Sequence, residues 1–494
     1  MQIPFGEWLP DQPEYLNPGA NTANNVYFAR QSYKRFPSLV AYSSNNIGAN
    51  SRGAGSFRDN WNNVFNFVAN NTDIFQLDGG TFTSRKSSLT GTDTDYFTFT
   101  QFGQFVVASN GKDAAQYYEM GTSTNFANLS TIGTSGTVPV FKVSGVVRDF
   151  FVTGNHTNNS NRIQWSGIND LTTWQPGTKQ SDLQDLPGSG GQITHITSGE
   201  IGYVFRQNQI IRMDYVGGAT VFRLSVISPN RGAVLGRTVC QDNRRVFFYA
   251  DDGFYELNGD QVISIGAEKV NRFFDTDLNK AFSDRICAAV DPFNQLALWL
   301  YPSASNTANT TGICDKVIIY NYATQKWSTA DASASTIFSQ FVGAYTVELM
   351  DIISENLDAI NIALDTDFWN GGQLYLGAID SDFKAAIFSG TENEGTLETR
   401  ELELFPGHRS SITNIRPIVD ATSTVTISSK ERLADTATES SSSSMVASGD
   451  NPVRQSGRYF KIKVTTPSGS VWTHAQGVDL IASRIGLRWQ KKLI

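Results

Sequence analysis

Short apolar runs, each cut by a tight polar turn and followed by a second run carrying aromatics, recur over residues 65–389. The clearest case is 246–265, where Asp252-Gly253 and Asn258-Gly259 have the positive-φ chemistry that closes two-residue hairpins. Three antiparallel strands are predicted there. The same pattern surrounds Asp78-Gly79-Gly80, Asn110-Gly111 and Gln207-Asn208, and returns over 288–319 around a long polar insert at 303–311. Two units end on a tryptophan after a polar turn, at 163–174 and 317–327. Alternation puts Ile163 with Trp165, and Ile318 with Tyr320 and Tyr322, on shared strand faces. These aromatics read as packing between neighbouring sheets, with Trp165 and Trp174 as carbohydrate-stacking groups the functional alternative. Units of about 40 to 50 residues match the four-stranded blades of a β-propeller, so about six or seven blades are predicted, with a sandwich of two large sheets ranked second.

Helical spacing is rare. Residues 268–282 place Val270, Phe273, Phe274, Leu278 and Phe282 near one face, which predicts a short helix on the outside of a blade. Leu349, Ile352, Ile353, Leu357, Ile360 and Leu364 share that spacing, although their β-branched members favour strands equally. Beyond Gly390 the pattern changes. An acidic stretch (391–403) precedes strands rich in Ile, Val and Thr (409–429), then a Ser-rich polar segment (431–451) expected to be a mobile loop. Over 459–464, Phe460, Ile462 and Val464 face one way and the lysines the other. The expected organisation is an extended N-terminal docking arm (1–40), a β-propeller (41–390) and a C-terminal β-sandwich-like domain (391–494).

Composition supports an all-β class. Hydrophobic residues make up 40% of the 494 positions and charged residues only 17%, and the deficit in charge is filled by Asn, Ser, Thr and Gly, which suit turns and strand faces. No apolar run approaches the ~20 residues of a membrane-spanning helix, and the N-terminus lacks the basic-then-apolar pattern of a secretory signal. Synthesis in a reducing cytoplasm is expected. The formal net charge of −8 hides an asymmetry: beyond residue 453, eight basic side chains face Asp479 alone. An acidic body repels nucleic acid at long range, whereas a basic end attracts phosphates or an acidic protein surface.

Catalytic signatures are missing. Cys240, Cys287 and Cys314 are odd in number and widely spaced, which reads as buried free thiols. His156, His195, His408 and His474 form no short zinc spacing, no G-x-S-x-G elbow occurs, and the 188–191 Gly-rich loop lacks the Lys-Ser/Thr pair of a phosphate cradle. Repeated acidic pairs (Asp93/Asp95, Asp275/Asp277, Asp365/Asp367, Asp380/Asp382) suggest turns before calcium or glycoside chemistry, because Asp bonds the backbone locally and none continues into a ligand ladder. No catalytic, cofactor or metal residue is expected, and the chain reads as a non-enzyme.

The N-terminal elements Phe5-Gly-Glu-Trp8-Leu-Pro10-Asp11, Pro18-Gly19, Asn24-Asn-Val26 and Tyr33-Lys-Arg-Phe36-Pro-Ser38 resemble the opening of a family of short-tailed phage tail proteins. The segment at 215–220, the helix after 263–266, the 320–327 element and the final strand with Lys461 and Arg488 are similar, in order, to the packaged-DNA-stabilisation or tail-hub proteins of such phages. The resemblance implies a virion tail protein made in the host cytoplasm: a propeller subunit of a homohexameric nozzle ring below the portal and head–tail adaptor. It further implies tail fibre or spike and tip or knob proteins as partners, and DNA passing non-specifically through the channel. Trp8, Pro10, Asp11 and Phe36 at one end, and Arg484, Arg488, Lys491 and Lys492 at the other, are the expected interface residues. A polysaccharide-binding or polysaccharide-cleaving propeller, or another tail or baseplate structural protein, are the competing readings.

Overall fold

The computed structural model describes residues 1–15, 17–218, 220–342, 362, 369 and 373–485. The helical spacing at 349–364, Ile362 aside, and the residues Asp365, Asp367, Arg488, Lys491 and Lys492 lie outside them. Within them the chain is a seven-bladed β-propeller carrying a β-sandwich.

Blades one to five each take four consecutive antiparallel strands from one stretch of chain, starting at Gly53–Arg58, Thr98–Phe102, Phe141–Val147, Ile193–Ile196 and Cys240–Asp242. The hairpins expected at 246–265 are present: Arg245–Ala250, Gly253–Asn258 and Gln261–Ser264 pair in sequence, and Gly253 and Gly259 both have positive φ. Blade six starts at Cys287–Asp291 and ends on Lys326–Phe341. This 16-residue strand pairs with Cys314–Asn321 over its first half and, after a bulge near Ala334, with Leu374–Asp380 over its second. It therefore opens blade seven without a loop. The outermost strand of blade seven is Ser38–Ala41, paired with Ala385–Gly390, so an N-terminal strand closes the ring and the propeller begins before residue 41.

The first strands of successive blades line the axis, the last of them meeting Gly53–Arg58 again. Close approach there requires glycine: a Cβ at Gly53 would lie 2.4 Å from the Phe97 carbonyl oxygen, and one at Gly236 would lie 1.9 Å from that of Thr194. Both faces of each blade are apolar, and seven clusters fill the seven gaps between neighbours. Phe67 and Phe97 pack between blades one and two, Phe205 and Phe248 between four and five, and Val68 and Ile387 between seven and one. Burial of this kind is worth roughly 25 cal/mol per Å² of apolar surface, which is why aromatics recur on both strand faces.

The sandwich is built from both chain ends. One sheet contains Ala20–Asn24, Gly395–Thr399, Tyr459–Thr466 and Thr424–Lys430. The other contains Val26–Ala29, Ser32–Arg35, Ala475–Arg484, Ser410–Val419 and Asn451–Gly457, with Gln2–Pro4 along its edge. The N-terminal segment is extended, yet it docks within its own chain as strands of this sandwich. Phe460, Ile462 and Val464 face its core as alternation required. Lys461 turns outward to Glu14, at 2.8 Å. The Ser-rich segment, expected as a mobile loop, contributes Thr438–Glu439 and Ser443–Ser444, short strands paired along Thr424–Lys430, because its alternating hydroxyls can complete that sheet's edge. One continuous core joins Val425, Ile427 and Phe460 of the sandwich to Phe254, Trp299 and Trp327 of blades five and six. The predicted short helix, Asn271–Asp277, lies in this junction and buries Phe274.

Candidate assembly interface

Trp8, Pro10 and Asp11 come together on that helix. Trp8 is 3% exposed, stands edge-on to Phe273 at 5.0 Å, and its indole N–H donates to the Asn21 carbonyl at 3.2 Å. Both Asp11 carboxylate oxygens accept backbone N–H groups of the first helical turn, from Arg272 at 2.8 Å and Phe273 at 2.7 Å, so the N-terminal segment caps a helix more than 250 positions away. Lys269 adds an ion pair to Glu7 at 2.8 Å. In this fold Trp8 anchors the chain to itself, because the helix offers both an aromatic edge and unpaired N–H groups; its ring has no surface left for a second subunit.

Phe36 is buried against Phe388, with ring centroids 5.2 Å apart, between the sandwich and blade seven. It floors an open groove of about 620 Å³ that is also lined by Tyr27, Arg35, Pro37 and Phe293. Arg484, exposed at the end of its strand, places a guanidinium nitrogen 2.9 Å from Nδ1 of His408. The described interface candidates thus fall in three places: the helix cap, the groove floor and the tip of the last strand.

The structure adds two aromatics that sequence reasoning passed over. Phe293 is 89% exposed on the first turn of blade six, and Trp61 is 74% exposed on the first turn of blade one. Both turns join the first and second strands of their blades, so both lie on the same face of the ring. Each is locked alike. Oδ1 of Asp291 accepts the N–H groups of Phe293 (3.0 Å) and Asn294 (3.2 Å), and Oδ1 of Asp59 accepts those of Trp61 (2.9 Å) and Asn63 (2.8 Å). The side-chain amides of Asn294 and Asn63 donate to the second carboxylate oxygens of Asp291 and Asp59, each at 2.7 Å. The readable signal was an aromatic two residues after Asp inside a hairpin turn, where polar residues are usual.

The remaining candidates are structural. Trp165 and Trp174 are buried and donate to the carbonyls of Gln180 and Leu171, each at 2.8 Å, which leaves no ring face for a sugar. Asp380 accepts the N–H groups of Asp382 and Lys384, Asp95 accepts that of Thr92, and Asp277 takes the Tyr301 hydroxyl at 3.0 Å. Among the described residues, no three His, Cys, Asp or Glu side chains gather as a metal site. The three cysteines are buried and unpaired, and burial raises the Cys240 thiol far above its ordinary range. His156 is held neutral, its pKa lowered to about 4 by burial and by the nearby Arg162 guanidinium.

No protein-family model matches the chain, and no curated protein matches it. Among solved structures, it is similar to a chain in the crystal structure of the mitotic checkpoint complex (11% identity, 77% of this chain, 96% of that one, TM-score 0.41). It is also similar to the WD40 repeats of RRP9 (8%, 62% and 88%, 0.39) and to BBS1N, crystallised in complex with ARL6DN (11%, 72% and 99%, 0.41).

Proposed function

We propose that the chain is a structural subunit of the tail nozzle of a short-tailed bacteriophage, a homohexameric ring below the portal and adaptor that retains the genome and conducts it outward. Its N-terminal and ordered internal sequence elements support this reading. The structural observation that carries it is the presentation of Trp61 and Phe293 on locked turns of one face, with Phe293 rising beside the groove floored by Phe36. Aromatic residues are enriched in protein–protein interfaces, and rings held out on fixed turns suit such contacts. The acidic body suits a passage through which DNA slides without sticking. That passage lies between subunits, because the axial cavity of a single propeller, about 380 Å³, is far too small for a duplex. The N-terminal segment serves the ring indirectly, by fixing the sandwich rigidly to blades five and six.

Light scattering and negative-stain imaging of the purified chain, alone and with the adaptor, test the proposal. Sixfold rings are expected, and Phe293→Asp or Trp61→Asp should release folded monomers that still unfold in a cooperative transition, at a melting temperature lowered by the lost assembly. A chain that stays monomeric in both conditions would overturn the nozzle reading, and rings indifferent to both substitutions would overturn the assigned face.

A further inference from the structure

The axial cavity opens among basic groups that neither the mechanics of the ring nor the exposed turns require. Its wall includes Gly53, Arg237, Cys287 and Thr336, from the inner strands of blades one, five, six and seven or the segments just before them. Arg52 precedes Gly53 directly, and Arg285 stands two residues before Cys287. Arg237 donates from Nη2 to the Thr336 hydroxyl at 3.0 Å, and that hydroxyl lies 3.2 Å from the carbonyl of Ser51, which brings Arg237 beside Arg52. Three guanidiniums from separate blades therefore converge at one mouth.

Their local compensation is incomplete. Two carboxylates serve the three: Asp93 lies 3.5 Å from Arg52 and 3.9 Å from Arg285, and Asp284 lies 3.4 Å from Arg285. Arg237 has no carboxylate within ion-pair distance among the described residues. Asp93 is 69% exposed, so water screens it, whereas the Arg52 side chain is only 3% exposed. Arg52 donates from Nε to Asn71 at 3.0 Å; its buried Nη2 meets only Asp93, at 3.5 Å, and the buried Nε of Arg285 only Asp284, at 3.4 Å, neither with hydrogen-bond geometry. A buried guanidinium N–H held only by a long, poorly aligned carboxylate contact is under-satisfied, and convergent guanidiniums in that state match the several acceptors of a tetrahedral oxyanion. Burial and repulsion from Arg285 and Arg237 lower the Arg52 pKa to about 10, as expected of cations crowded together.

We propose that Arg52, Arg237 and Arg285 form a binding site for a phosphate-type oxyanion at the mouth of the axial cavity. The chemistry fits free inorganic phosphate and the terminal phosphate of a nucleic acid strand equally. Isothermal titration of the full chain at constant ionic strength, with inorganic phosphate, a 5′-phosphorylated oligothymidylate and its unphosphorylated twin, separates the sources. Saturable binding by one or both phosphate ligands and none by the twin is expected. Arg237→Gln should weaken it by about tenfold or more, the loss of one charge-assisted contact. Arg237→Lys, which keeps the charge and loses the planar fork, should fall between. Phosphorus NMR on the unaltered protein gives a readout independent of any variant: the phosphate line should broaden, and sulfate should reverse the broadening. Absence of saturable phosphate binding to the unaltered chain, binding of the twin as tight as that of the phosphorylated strand, or equal affinity in the Arg237→Gln and unaltered proteins would overturn the site.

Discussion

Blades one to five and the sandwich solve the same problem in opposite ways. Each of those blades is a meander whose strands are neighbours in sequence, so its pairings cost little loop-closure entropy and its turns set its register. The sandwich joins strands of residues 2–35 to strands of 395–484, and blade seven borrows Ser38–Ala41 across more than 340 positions. Local pairing makes the blades, and the two chain ends clasp the ring. Stability should therefore depend far more on the clasp than on any single blade turn.

Deleting residues 1–41 should have the largest effect on stability. It removes the outer strand of blade seven, the helix cap and the N-terminal strands of the sandwich, and it should abolish cooperative unfolding in calorimetry. A flexible insertion at 306–311 in the loop of blade six, beyond the residues that bond Asp277 and Asp315, should leave the transition nearly unchanged. The contrast narrows with Trp8→Ala, expected to cost roughly 3–5 kcal/mol in urea unfolding, as large aromatic-to-alanine changes in cores do. An equal loss from a blade turn such as Gly259→Ala would show that the clasp has no special weight.

The smallest effect concerns blade three. His156 Nε2 lies 3.0 Å from the Thr153 hydroxyl, which itself donates to the Gln164 carbonyl at 2.9 Å, so Nε2 is the donor to Thr153, and burial keeps the ring neutral. Its folded pKa is depressed, so between about 6.5 and 4 the unfolded chain binds the extra proton. Stability should be constant above pH 6.5 on this account and fall as pH drops toward 4, by roughly 2–3 kcal/mol in all. His156→Gln should make that limb shallower, leaving the share of His195, whose pKa burial also lowers to about 4, and an unchanged slope would refute the assignment.

What the sequence made legible follows the same division. The hairpins at 252–253 and 258–259 and the facing of Phe460, Ile462 and Val464 depend on φ and on a period of two, both local properties. The pairing of Ser38–Ala41 with Ala385–Gly390 carries no such mark, because nothing in either segment encodes a partner hundreds of residues away. Trp8, Asp11 and Phe36 stood out in the sequence, but nothing in it marked Phe273, Arg272 and Phe388 as their partners, so an internal clasp looked like an arm for another molecule. The basic strand at 458–463 looked unneutralised for the same reason: Glu403 lies 3.3 Å from Arg458, and Glu14 lies 2.8 Å from Lys461. Arg52, Arg237 and Arg285 gave no signal, since only closure of the ring brings them together.

The strand Lys326–Phe341 also defines a path for force. Through Asn24 opposite Thr329 it is joined to the sandwich, and it then runs unbroken from blade six into blade seven. Tension on the sandwich passes along a backbone whose hydrogen bonds lie across the direction of pull. Such bonds are loaded in shear and must yield together, whereas a hairpin pulled from its open end peels one bond at a time. A subunit mounted by its sandwich would carry load into the wheel without opening it.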